Sequence, residues 1–222
     1  MSRKASKTPI RTPMRSQIGA VSTEEFNKTF TGIIRSMREQ YPQNPTQDLA
    51  PMLVFVFRHG NGEQTQSQFF PPDEHWCQRD LRRAGMGMLG RSLAKQRDMG
   101  SLVEAFAVSE VKREAHGYAR DLTIVGLTTD GRLNFALLPV ERSAGGTQVA
   151  GEPSVLVQWL DSPPNDGGPS LSSPQLMEID PSVSVILDAL TVLVESYVES
   201  LGGLQRANRT APRMAGSKGR LQ

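Results

Sequence analysis

The sequence predicts an α+β fold: an antiparallel sheet of five or six strands with three helices packed on it. Three observations predict it. Apolar residues recur at helical spacing in three stretches, five or six β-rich runs lie between those stretches, and Asn61-Gly62 and Asp130-Gly131 fall where neighbouring runs would turn back on each other.

Ser22-Thr23-Glu24-Glu25 has the Ser-x-x-Glu form of a capping box, and Phe26, Phe30, Ile33, Ile34, Met37 and Tyr41 follow on one helical face. This predicts a helix over 23–40. Pro42, Pro45 and Pro51 end it, and Met52 to Phe57 is a continuous apolar run of the kind that forms a central strand. Gly60-Asn61-Gly62 then predicts a type I′ turn, which brings Glu63 to Phe70 back antiparallel; the Gln-Thr-Gln-Ser-Gln content of that return suits an exposed edge.

Pro71-Pro72 stops the hairpin and offers Asp73 as a helix N-cap. Cys77, Leu81, Ala84, Met88 and Ser92 then set the apolar stripe of a second helix over 74–97. Leu102 to Val111 predicts a buried strand. Leu122 to Leu127 and Leu133 to Val140 flank the Asp130-Gly131 turn, and Ser154 to Leu160 adds a further strand. In the last helix Asp180 caps, Pro181 fits the first turn, and Val183, Ile186, Leu187, Leu190, Val194, Tyr197, Val198 and Leu201 form one stripe before Gly202 ends it.

This order of elements resembles the roadblock, longin and profilin-like scaffolds, whose members are mostly adaptors and regulators. Separately, the stretch Val103-Glu104-Ala105-Phe106-Ala107-Val108-Ser109-Glu110 through Gly126-Leu127-Thr128-Thr129-Asp130-Gly131-Arg132 resembles a family of uncharacterised prokaryotic proteins. That resemblance spans about residues 103–132, roughly a fifth of the chain. It implies a prokaryotic or phage source and brings no assigned activity.

Val, Ile, Leu and Phe number 52 of 222 residues, enough apolar material for a globular core. No apolar run approaches the length that spans a bilayer, which excludes a membrane partner, and the single cysteine, Cys77, has no intramolecular disulfide partner. With no apolar signal stretch after the basic start, a cytoplasmic location is expected.

The formal net charge of +2 conceals its distribution. Residues 1–22 carry Arg3, Lys4, Lys7, Arg11 and Arg15 without an acid, and residues 203–222 carry Arg206, Arg209, Arg213, Lys218 and Arg220, again without one. The domain between, 23–202, is acidic. The expected organisation is therefore a basic disordered arm over 1–22, a single α+β domain over 23–202, and a basic disordered tail over 203–222, the arms being the candidate nucleic-acid-binding residues. The stretch Ser162 to Pro174, rich in Pro and Gly, reads as a loop.

Chemistry-bearing motifs are sparse. Gly85-Met86-Gly87-Met88-Leu89-Gly90 matches Gly-x-Gly-x-x-Gly, but no strand feeds it, so it reads as small residues that permit close helix approach. The densest reactive cluster is Asp73-Glu74-His75-Trp76-Cys77. His59 belongs at the turn end of the first hairpin, roughly 20 Å from His75 at about 3.4 Å per strand residue, so the two histidines cannot share a metal. The cluster therefore reads as structural, with Trp76 or Cys77 in the core; His116 falls in a loop, and Asn27 and Asn208 begin glycosylation triplets that a cytoplasmic chain would not use.

No metal and no cofactor are expected. The function expected is a non-enzymatic intracellular binding or regulatory protein, acting on a protein partner or as a homo-oligomer, with nucleic acid contacted through the arms. The alternative is a small hydrolase or transferase using Glu74, His75 and Cys77.

Overall fold

The computed structural model describes residues 21–41, 49–112, 120–142, 148–157 and 181–210. Within them the fold is α+β, as the sequence predicts. The helices are α1 (Thr23–Gln40), α2 (Asp73–Cys77), α3 (Arg79–Leu93) and α4 (Pro181–Thr210); the strands are β1 (Met52–Arg58), β2 (Gln64–Phe69), β3 (Ser101–Lys112), β4 (Arg120–Thr128), β5 (Leu133–Arg142), β6 (Gln148–Ala150) and β7 (Val155–Val157). They form one antiparallel sheet in the order β2-β1-β3-β4-β5. Both β6 and β7 pair with β5, one after the other, as a single outer strand broken around Pro153.

Helices cover both faces, which explains why β1 and β3 are apolar on both sides. On one face α1 lays Phe26, Phe30, Ile33, Ile34 and Met37 on Val54, Val56, Phe106, Val108 and Ile124. On the other, α3 and α4 cover Phe55, Phe57, Ala105, Ala107, Val125 and Phe135. The capping box forms as the sequence predicts: the Glu25 N–H donates to Ser22 Oγ at 3.1 Å and the Ser22 N–H donates to Glu25 Oε2 at 2.9 Å.

Both tight hairpins differ from the predicted two-residue turns. In the first, the His59 N–H donates to the Glu63 carbonyl and the Gly62 N–H to the His59 carbonyl, which leaves Gly60-Asn61-Gly62 as a three-residue loop with Gly62 at φ 87°. The second repeats this with Thr129-Asp130-Gly131 and Gly131 at φ 96°. Each has the form of a type I turn closed by a left-handed glycine, so one positive φ is needed where two were expected.

The predicted second helix is the largest correction. Gln78 is extended (φ −96°, ψ 122°) and splits it into α2 and α3, and Asp73 is the first helical residue, with no side-chain cap, rather than the N-cap. The predicted stripe of Cys77, Leu81, Ala84, Met88 and Ser92 faces solvent, Met88 at 65% exposure; the buried face of α3 is Arg82, Met86, Gly87, Gly90 and Leu93. The break resets the helical phase, and the contact face is built of glycines and an arginine that a search for apolar spacing passes over.

The last helix does not end at Gly202 but runs on to Thr210. Residues 203–210 are therefore helical rather than part of an unstructured tail. The predicted strand at Ser154 to Leu160 appears as β7, its last three residues lying outside the described residues, as do Asp180 and the loop Ser162 to Pro174. Among the described residues no helix is long and apolar enough to cross a membrane.

Candidate functional site

The site is built where β2 leaves the sheet. β2 is an edge strand with β1 as its sole strand partner among the described residues, and its side chains are mostly exposed. From Gln64 to Phe70 it carries no charge and no proline, the usual devices that stop a strand edge from pairing with another chain. Its end is marked by two exposed aromatics, Phe69 at 38% and Phe70 at 58%. Pro71 and Pro72 then redirect the chain under the sheet, and the Pro72 carbonyl accepts from the N–H groups of His75 and Trp76, which starts α2.

Trp76 is the anchor of this short helix. Its ring is buried, and Nε1 donates to Ser109 Oγ on β3 at 3.2 Å. After the break at Gln78, Arg82 turns back: its Nη1 donates to the Trp76 carbonyl, and its guanidinium carbon lies 6.0 Å from the Trp76 ring centroid. Arg82 is only 6% exposed, its Nε has no hydrogen-bond partner, and no described carboxylate makes an ion pair with it. Desolvation by burial lowers its pKa below the ordinary arginine value, opposed by the field of Asp188, which itself pairs with Arg83. A buried cation without an anion is costly unless something supplies one.

Between β2, α2 and α3 lies a small open groove with a volume of about 50 Å³. Phe69, Pro71, Trp76, Leu81, Met86 and Leu89 give it an apolar wall, and Arg82 and His75 add polar groups. The groove is thus mostly apolar, with one buried guanidinium in its wall.

The predicted reactive cluster does not converge there. All three side chains are exposed, and of them only His75 is among the groove's lining residues. At about 100° per residue, His75 and Cys77 project about 200° apart around α2, and among the described residues no side-chain hydrogen bond joins Glu74, His75 and Cys77. Of Trp76 and Cys77, the core takes Trp76. His59 sits beyond the opposite end of β2 with its Nε2 in a 3.1 Å hydrogen bond with Thr65 Oγ1, and no group of three or more metal-ligating side chains is gathered among the described residues. Gly87 and Gly90 lie inside α3 against α4, so the Gly-x-Gly-x-x-Gly run serves close helix packing.

Of the basic arm residues, Arg206 and Arg209 fall on the last turns of α4; Arg3, Lys4, Lys7, Arg11, Arg15, Arg213, Lys218 and Arg220 lie outside the described residues, as does His116. No family model, no curated protein and no solved structure matches the chain.

Sequence reasoning missed two residues. Arg82 was hidden by the wrong helical phase. Glu104, the one charge in the run Leu102-Val103-Glu104-Ala105-Phe106-Ala107-Val108, was visible as an acid in an apolar strand and is fully buried.

Proposed function

We propose that the protein is a binding or regulatory module whose partner is an extended peptide segment, added as a strand along β2. The segment places an apolar side chain in the groove and a neighbouring carboxylate on Arg82. One observation carries this reading: an uncharged strand edge, which no described residue pairs on its outer side, runs directly into an apolar groove that holds a buried guanidinium with no ion-pair partner among the described residues. Backbone pairing along β2 would supply affinity, and the groove would supply selectivity. The open shape of the groove and the divergence of Glu74, His75 and Cys77 favour this reading over a hydrolase or transferase.

A phage-displayed random peptide library tests it. Selection on the full chain should enrich sequences with an apolar residue beside Asp or Glu, and those peptides should bind the double variant Phe69→Glu, Leu81→Asp at least about tenfold more weakly. Both side chains are partly exposed, so the variant keeps its fold. Enrichment of sequences that bind the variant equally well would place the partner elsewhere.

A further inference from the structure

The pairing of β1 with β3 shifts register between Val56 and Phe57: Val56 lies opposite Glu104 and Phe57 opposite Leu102, so Val103 is an extra, bulged residue. The bulge resets the alternation of β3 and puts Glu104 on the side of Phe106 and Val108, beneath α1. There Glu104 is 0% exposed, and neither of its carboxylate oxygens has a hydrogen-bond partner. The groups that face it are Glu25 and Thr29 from α1, Arg58 from β1 and Asp130 from the β4–β5 turn.

Each of these is engaged with another group. Thr29 Oγ1 donates to the Glu25 carbonyl at 3.1 Å, Arg58 Nη2 pairs with Glu25 at 3.3 Å, and Asp130 pairs with Arg132 at 3.1 Å. Glu25 is thus held by two partners, Ser22 through the capping box and Arg58 through the ion pair, while the more deeply buried acid beside it has none.

We propose that Glu104 is a proton-controlled latch for α1: protonated, it lies neutral beneath the helix, and ionised, its unpaired buried charge beside that of Glu25 loosens the first turns of α1 from the sheet. Desolvation pushes its carboxyl from 4.5 up to about 7; the charges of Glu25 and Asp130 push the same way, against Thr29 and Arg58. Because the pKa is raised on folding, the stability that the proton confers is complete below about pH 4.5 and is lost as pH climbs through about 7. The released proton goes to solvent, and the freed helix uncovers the apolar face formed by Val54, Val56, Phe106 and Ile124.

Amide hydrogen exchange of the full chain, corrected for intrinsic rates, tests the latch. Between pH 6 and pH 8.5, protection of the Thr23–Gln40 amides should fall by about tenfold in the wild type and stay level in Glu104→Gln, as titration of one buried group from about 7 against 4.5 requires. Over the same range β3 should remain protected. In a second variant, Arg58→Gln, removal of the cation should move the midpoint of the loss to higher pH. An equal fall in Glu104→Gln, an equal fall in β3, or an unmoved midpoint in Arg58→Gln would overturn the proposal.

Discussion

The hydroxyl of Tyr197 accepts a hydrogen bond from the backbone N–H of Leu102 at 2.9 Å, which ties α4 to β3 at the foot of the bulge. Both residues are buried, and the bulge has taken Leu102 out of the regular alternation, so the phenol satisfies a donor at an irregular point of the sheet. Tyr197→Phe should leave that N–H unpaired and lower stability by about 1–3 kcal/mol, measured by urea unfolding. Burial also pushes the Tyr197 hydroxyl above its ordinary value of 10.0, so folding retains its proton and stability should decline further as pH rises past 10.

Two glycines of α3 should respond in opposite directions. A Cβ on Gly90 would overlap the backbone carbonyl oxygen of Leu193, and backbone cannot yield as a side chain does, so Gly90→Ala should cost about 3 kcal/mol or more by forcing α3 and α4 apart. A Cβ on Gly85 meets nothing within 4 Å, and Gly85→Ala should raise stability by about 0.5–1 kcal/mol through helix propensity alone. Thermal melts of the pair check this, and similar losses in both would mean that the helix contact is misplaced.

On α4, Leu190 is fully buried against the sheet, whereas Val185 is 41% exposed. Leu190→Asp puts an unpaired charge in the core and should cost about 4 kcal/mol or more, enough to unfold a domain of ordinary stability. Val185→Asp should leave the melting temperature within a few degrees of wild type.

Much of the architecture was legible because its signals are local. The capping box at Ser22 and Glu25 and the apolar spacing from Phe26 to Met37 bound α1 without reference to anything distant. The continuous apolar run of β1 and the polar run of β2 likewise announce a central and an edge strand. What stayed hidden is tertiary. The break at Gln78 has no Pro or Gly to mark it, and once the phase is lost the stripe falls on Cys77, Leu81 and Met88 instead of Arg82, Met86 and Gly90. The groove was illegible for the same reason, since it joins the end of β2 to a face of α3 that spacing alone assigned to the wrong side. Glu104 was readable as an anomaly, but the bulge at Val103 that sends it under α1 depends on pairing with β1.

The basic residues of the two termini carry their own expectation. If they contact duplex DNA with all ten cations, the logarithm of affinity should fall against that of salt with a slope of up to about −9. Removing residues 1–20 and 211–222 should reduce that slope and leave the melting temperature nearly unchanged. A full chain whose retention on DNA does not depend on salt would remove nucleic acid as a partner of the arms.

Strand addition along β2 is tested most directly by hydrogen exchange of the Gln64–Phe69 amides, with and without a saturating library-selected peptide. If a partner strand pairs with the free edge, the amides that point away from β1 should slow by about tenfold or more, with the amides of β5 on the far side of the sheet unaffected. Bound peptide with unchanged β2 exchange would contradict strand addition.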